Sequence, residues 1–179
     1  MIERKTTKEL ILSSLYDLLR ETPYEKITVS AIVKNCGISQ RTFYNHFKDK
    51  HDLVEWSYLH VLDEYYAKNC TEMTFHKWLL FTAETAWEHR LMLQKFAQYS
   101  GQNSLRASLQ QPLSERCLTV IHDVYGDPVT DQLRAVVSFY VGGLISYVER
   151  ALIDADIPTP EQSVELFELC IPRCMAKYL

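Results

Sequence analysis

The segment from Ile27 to Lys50, ITVSAIVKNCGISQRTFYNHFKDK, constrains the fold more than any other part of the chain. Its pattern predicts two short helices joined by a tight turn. Thr28 and Ser39 are predicted N-caps, because a hydroxyl oxygen can accept a backbone N–H that has no partner at a helix start. Gly37 is predicted to end the first helix, since so short a turn needs a residue that tolerates a positive φ.

The second of these helices has an apolar side and a polar side. Phe43 and Phe47 lie four residues apart on one face, and Ile38 fills the turn before them. The remaining surface carries hydrogen-bonding side chains and almost no acid: Gln40, Arg41, Thr42, Tyr44, Asn45 and His46. Such a helix suits the base edges and phosphates of a DNA major groove. An ordinary helical hairpin with a polar outer face fits the same pattern, so the residues alone leave both interpretations open.

The motif T-V-S-x-I-V…C-G-I-S-x-R-T-F-Y-x-H-F-K-D-K resembles the DNA-binding domain of TetR/AcrR-family transcriptional regulators, over roughly Leu10 to Leu53. The segments ITVSAIV and CGIS are also similar to the subgroup around dihydroxyacetone-kinase regulators. One difference is Val33, where many members of the family carry a small residue, so the two helices are expected to sit slightly further apart or to repack locally.

The resemblance implies a role for individual residues of the motif. Phosphate contacts are implied for Thr28, Thr42, Tyr44, His46 and Lys50, and contacts with base edges for Ser30, Gln40, Arg41 and Asn45. Ser39 and Lys48 complete the predicted DNA-binding set. The expected partner is a double-stranded DNA operator.

The charge distribution agrees with a small DNA-binding head on a larger body that does not touch DNA. The net charge is −4, but residues 1–56 carry 9 Lys and Arg against 8 Asp and Glu, while residues 57–179 carry 10 against 15. Only the first part can approach a polyanion closely. The N-terminus lacks an apolar signal core and no run of about 18 apolar residues occurs, so we expect a cytoplasmic protein without a membrane partner.

Helical periodicity and an absence of strand-like runs predict an all-α chain. The resemblance implies two domains, residues 1–50 and 51–179, the first a three-helix helix-turn-helix domain and the second a helical bundle. Helices are expected at 5–21, 28–36, 39–47, 49–67, 75–100 with a break near His89 or Arg90, 104–125 with a kink or split at Pro112, 128–154, and 161–177 bent at Pro172. The fourth helix is the expected mechanical link between the domains.

The resemblance also implies a ligand cavity in the body, in which the candidate residues are Trp78, Trp87, Phe96, Tyr99 and Tyr140. Periodicity alone favours an ordinary hydrophobic core for this aromatic segment. The body is therefore predicted to bind either an unidentified small-molecule effector or, as the alternative, a protein co-regulator. In both cases the expected function is transcriptional regulation, with repression the expected direction.

A homodimer is predicted from the apolar 128–154 helix and its glycine pair. Two glycines cost helix propensity, roughly 1 kcal/mol each relative to Ala, so close approach of another helix is expected to compensate. Together with the last helix this predicts a four-helix interface between two copies of the chain. Its candidate residues are Val141, Gly142, Gly143, Tyr147, Phe167 and Ile171.

The chain shows no pattern that predicts an enzyme, a cofactor or a metal site. The six histidines are scattered, and neither an H-E-x-x-H motif nor a glycine-rich phosphate loop occurs. The five cysteines include no C-x-x-C pair, and reduced thiols that serve as small apolar residues are favoured over a redox pair of Cys170 and Cys174.

Overall fold

The structure is a computed structural model that describes residues 5–98 and 105–179. Within these residues all regular structure is helical, which confirms the all-α prediction. The helices are α1 (Thr7–Leu19), α2 (Val29–Cys36), α3 (Gln40–Tyr44), α4 (Lys50–Asn69), α5 (Phe75–Glu88), α6 (Arg90–Ala97), α7 (Leu105–Tyr125), α8 (Asp131–Asp154) and α9 (Pro160–Leu169), with short 3₁₀ turns at Tyr24–Lys26, Cys70–Glu72 and Arg173–Tyr178. The predicted break between α5 and α6 lies at His89.

The chain forms two compact units, residues 1–57 and residues 58–179, called here the head and the body. The sequence-based boundary at residue 50 falls earlier, because the first turns of α4 belong to the head. The ring of Trp56 lies 5.5 Å from that of Phe47, and Leu53 and Val54 are buried.

The head is a three-helix core that closes on α3. Ile11, Leu15, Phe43 and Phe47 are almost completely buried, as the apolar spacing predicts. Polar contacts add to this core. The hydroxyl of Ser14 on α1 donates a hydrogen bond of 2.8 Å to the carbonyl of Ile32 on α2. Val33 is buried with only 6% exposure, so the larger side chain is accommodated within the packing.

In the body, α8 packs against α7, and the glycine pair has two different environments. A Cβ atom added at Gly142 would lie 2.8 Å from Nε2 of Gln110, so the space beside this glycine is filled by the end of a side chain from α7. The same Nε2 donates to the carbonyl of Ser138 on α8. Gly143 is exposed, and a Cβ atom added there meets nothing within 4 Å.

The C-terminal segment differs from the prediction. The last helix, α9, ends at Leu169 and not near residue 177, because Pro172 lacks the backbone N–H that a continuing helix needs. A 3₁₀ segment follows and is held by Tyr178, whose hydroxyl donates to Asp127 and whose carbonyl accepts from the hydroxyl of Tyr125.

Two further expectations are met only in part. Pro112 lies inside α7, which runs from Leu105 to Tyr125, so the alternative of a split is wrong and the kink stays a prediction; the predicted start at Ser104 lies outside the described residues. Of the five cysteines only Cys117 is buried, and burial raises the pKa of its thiol, while Cys170 and Cys174 are exposed and do not act as core residues.

One helix in the described part of the chain, α8, is long and apolar enough to cross a membrane by length and composition alone. Its most apolar 18-residue window has a mean hydropathy of 1.4, and 33% of that window is buried within the body. The core helix of a globular protein passes the same test, so this is weak evidence for a membrane span.

Candidate DNA-binding site

The turn between α2 and α3 is built as the sequence predicts. Gly37 has φ 72°, and both its N–H and that of Ile38 donate to the carbonyl of Val33, which ends α2. Ser39 then caps α3, since its hydroxyl accepts the backbone N–H of Thr42 at 3.0 Å. These local contacts fix where α3 starts and in which direction it runs.

The buried side of α3 determines its exposed side. Phe43 on α3 and Phe47 just after it are buried, so the positions on the opposite side of the helix face outward. Gln40, Arg41, Tyr44 and Asn45 are all exposed, Tyr44 to 56%. Their side chains supply amide, guanidinium and phenol groups of the kind that read base edges and phosphates.

The cations beside this face are not neutralised by the head itself. Arg41 and Lys48 are exposed, and neither forms an ion pair with any residue in the ranges 5–98 and 105–179. The backbone N–H of Lys48 donates to Asp52 at 2.8 Å, which holds the segment between α3 and α4 while leaving the ammonium group exposed. Both cations are therefore available to a polyanion.

The other predicted residues fall into two groups. The hydroxyls of Thr28 and Ser39 already serve as N-caps, although each oxygen retains capacity for a further contact. Thr42 is half-buried, with its hydroxyl 2.9 Å from that of Ser39. Ser30 and His46 are exposed, and His46 lies beyond the last residue of α3.

Lys50 has a role within the head that the sequence did not reveal. Its ammonium group donates hydrogen bonds to the carbonyls of Tyr24 at 2.6 Å and Ile27 at 2.9 Å, and it lies 4.3 Å from the centroid of the Tyr24 ring. Partial burial lowers the pKa of Lys50, while the neighbouring carboxylates of Glu25 and Asp49 act in the opposite direction. Lys50 therefore ties the first residue of α4 to the segment that leads into α2.

Two polar residues of the head also escaped the sequence analysis. The side-chain amide of Asn35 on α2 donates to the hydroxyl of Ser14 on α1 at 3.1 Å, and that hydroxyl in turn donates to Ile32. This network joins α1 to α2. Only a serine within the apolar stripe of α1 could have indicated it.

The body contains a mainly apolar cavity of about 80 Å³. Of the predicted ligand residues, Trp78 and Trp87 line it. Phe96 and Tyr140 are buried but belong to the surrounding core, where the hydroxyl of Tyr140 donates to the carbonyl of Phe167 at 2.7 Å. Tyr99 lies outside the described residues.

The residues predicted for a dimer interface have different environments. Val141, Gly142 and Phe167 are buried within the chain, so these residues offer no surface to a second copy. Gly143 and Tyr147 are exposed, and Ile171 is half-buried. Phe139 lies four residues before Gly143 and eight before Tyr147, so these three residues share one exposed face of α8. The side chain of Phe139 is 85% exposed.

A capped turn, a short helix held by the buried Phe43 and Phe47, and an exposed face with unpaired cations define a helix-turn-helix DNA-binding protein. Comparisons with known proteins agree with this class. Residues 11–55 match the profile described as bacterial regulatory proteins, tetR family.

Two relatives extend the comparison beyond the head. The HTH-type dhaKLM operon transcriptional activator DhaS of Lactococcus lactis subsp. lactis (strain IL1403) is 27% identical over 89 residues, which cover 50% of this chain and 48% of that protein. The match therefore spans about half the length of this curated relative. A solved structure described as dihydroxyacetone kinase operon activator DhaS has a TM-score of 0.64 and 20% identity, and the alignment covers 92% of this chain and 96% of that one. This structural likeness shows a shared fold.

Residues 11–55 therefore form a DNA-binding domain of the tetR type. Because the matched family and the curated relative are DNA-binding regulators, the match agrees with the prediction that the chain is not an enzyme.

We expect Arg41→Ala to relax sequence preference at one base position. A bidentate arginine–guanine contact contributes about 1–3 kcal/mol of discrimination, and Arg41 is exposed on the outward face of α3. Selection of duplexes from a random pool by the wild type and the variant, at equal salt, measures this preference. Equal losses of specific and non-specific binding would contradict the base-reading role.

We expect Lys50→Ala to weaken all duplexes while leaving the salt dependence of binding unchanged, because its ammonium group is engaged by backbone carbonyls of the head. The free energy of unfolding of the head should fall by about 1–2 kcal/mol, the lower end for hydrogen bonds to a charged group that is partly exposed. Lys48→Ala is the matched comparison, because its cation is exposed. Its loss should reduce the slope of log binding constant against log salt concentration by about 0.9. A similar change of slope for Lys50→Ala would show that Lys50 contacts phosphate instead.

Proposed function

We propose that the protein is a homodimeric regulator that binds an operator through its two heads and changes its affinity when a small molecule occupies the cavity of the body. The exposed face of α3 supports the DNA-binding role. The cavity favours a small-molecule effector over the alternative of a protein co-regulator. Such a regulator acts where the chromosome lies, and we propose the cytoplasm as its location.

The direction of regulation is proposed from the curated relative. That protein is named as a transcriptional activator, which favours activation over the repression expected from the sequence. Nothing in the head distinguishes the two, because the same operator contact activates or represses according to where the operator lies relative to the promoter.

We propose that α4 couples the cavity of the body to DNA binding by the heads. Tyr58 lies on this helix, lines the cavity, and donates its hydroxyl proton to the carbonyl of Thr82 on α5 at 3.0 Å. The first residue of the same helix is Lys50, which is bonded to the segment before α2. A ligand that changes the position of α4 would thereby change the spacing of the heads. A coupling of 1–3 kcal/mol corresponds to a 5–150-fold change in operator affinity.

The proposed dimer uses the exposed row of α8. Phe139, Gly143 and Tyr147 lie four residues apart on one face, and Leu169 on α9 is 78% exposed. Large exposed apolar side chains that follow one helix face mark an interaction surface. Gly143 permits a second helix to approach closely, and a two-fold axis would pair this row with itself. Two heads related by that axis would match operator half-sites about one helical turn, or a multiple, apart.

A genome-wide binding footprint combined with a transcription reporter tests the function. We expect a small number of two-fold symmetric sites, and we expect deletion of the gene to lower expression from the adjacent promoter. Increased expression after deletion would restore the repressor interpretation. Binding without any preferred site would contradict sequence-specific regulation altogether.

We expect Gly143→Leu to abolish dimerisation and tight operator binding while leaving the protomer folded. Apart from neighbouring residues of α8 itself, no atom of the described part of the chain lies within 4 Å of a Cβ atom at this position, and leucine has a higher helix propensity than glycine. Sedimentation at micromolar concentration, together with circular dichroism, measures both properties. Ala67→Leu, at an exposed position of α4, is the matched control and should remain dimeric. A wild type that sediments as a 20.9 kDa monomer and still binds its operator tightly would contradict the dimer.

A further inference from the structure

We infer that the cavity of the body selects a small, uncharged and mainly apolar molecule with few hydrogen-bonding groups, and that it rejects polyols. This inference rests on the proposed function only in taking this cavity as the effector site. It specifies the chemical class of the ligand, which the comparisons leave open.

The lining excludes a charged ligand. Among the described residues that surround the cavity there is no Asp, Glu, Lys, Arg or His. A charge placed among such side chains would lose its hydration without gaining a partner of opposite sign. A carboxylate, phosphate or ammonium compound therefore does not fit.

Hydrogen-bonding capacity in the lining is small and mostly engaged. The polar side-chain groups of the described lining residues are the hydroxyls of Tyr58, Thr82 and Ser163 and the indole N–H groups of Trp78 and Trp87. Tyr58 donates to the carbonyl of Thr82, and Thr82 donates to the carbonyl of Trp78 at 2.7 Å. The protons of both hydroxyls are used, so these two oxygens can only accept a hydrogen bond from a ligand. A ligand hydroxyl can be satisfied at these two oxygens, whereas the groups of a polyol would have to share them and a few other polar groups with a lining that is otherwise hydrocarbon.

The walls set the size and shape of the ligand. Trp78, Trp87 and Phe167 supply aromatic surface to the cavity. The small side chains of Ala83, Ala86 and Ala151 leave room for a ligand beside them. At about 10–15 Å³ for each water-sized position, a volume of about 80 Å³ holds roughly five to eight non-hydrogen atoms. A compact ring or a branched chain fits this space.

Dihydroxyacetone provides a size-matched contrast. The operon of the curated relative is named for the kinase of this compound, and its molecule has as many non-hydrogen atoms as benzene. Two hydroxyls and a carbonyl would all have to leave water for a lining with few free partners. The cavity therefore distinguishes two compounds of equal size by their polarity.

The test uses the full-length protein with benzene, phenol and dihydroxyacetone as probes, read by thermal shift and by tryptophan fluorescence. We expect benzene and phenol to raise the melting temperature at millimolar concentration or below, and dihydroxyacetone at the same concentration to leave it unchanged. Ala83→Leu should fill the cavity and weaken benzene binding at least tenfold, while the exposed Ala67→Leu should bind like the wild type. Ala86→Leu, also in the lining, replaces Ala83→Leu if that variant does not fold.

The outcomes separate this inference from the proposed function. Dihydroxyacetone binding that is lost in the filled variants, or no binding of benzene and phenol, would overturn the ligand class. Benzene binding that Ala83→Leu and Ala86→Leu leave unaffected would overturn the assignment to this cavity. Benzene binding that responds to the filled variants but leaves operator affinity unchanged would support the ligand class and contradict the effector role.

Discussion

The burial of Phe43 and Phe47 is the constraint on which the DNA-binding surface depends. A helix of five residues is not stable by itself, because nucleation is costly and few hydrogen bonds repay it. Burying each phenylalanine contributes about 1.5–3 kcal/mol, which is enough to hold α3 against the head. Since a helix that buries one side must expose the other, the same two residues place Gln40, Arg41 and Tyr44 in solvent. The surface expected to read DNA is thus fixed by two residues that are themselves buried.

The parts of the head that the sequence predicted are those determined by neighbouring residues. N-caps at Thr28 and Ser39 and the positive φ of Gly37 depend on a few consecutive positions, so the pattern was sufficient. The contacts of Lys50 with Tyr24 and Ile27 join residues far apart along the chain, and no local pattern indicates them. For the same reason the polar link between Ser14 and Asn35 appeared only in the structure.

In the body, the sequence indicated that α8 packs against other helices, but it did not indicate which face of α8 meets which neighbour. The apolar residues of α8 continue nearly all round it, so periodicity could not tell which side meets α7. The structure places Gly142 against Gln110 and leaves Gly143 exposed beside Phe139 and Tyr147. The two adjacent glycines therefore lie in different environments. Gly142 packs within the chain, and Gly143 lies on the surface proposed for dimerisation. The end of α9 was misplaced because a proline late in a helical pattern permits either a bend or a stop.

A ligand of only a few atoms can regulate DNA binding only if its affinity differs between two conformations of the protein. A coupling of 1–3 kcal/mol corresponds, at about 25 cal/mol per Å², to about 40–120 Å² of apolar contact present in one conformation and absent in the other. That area is comparable to part of one aromatic side chain. Trp87 is half-buried in the wall of the cavity, and the guanidinium carbon of Arg90 lies 4.7 Å from the centroid of its ring. Movement of one side chain in the cavity wall, such as Trp87, therefore changes enough contact area to supply a coupling of this size. No large rearrangement of the body is required.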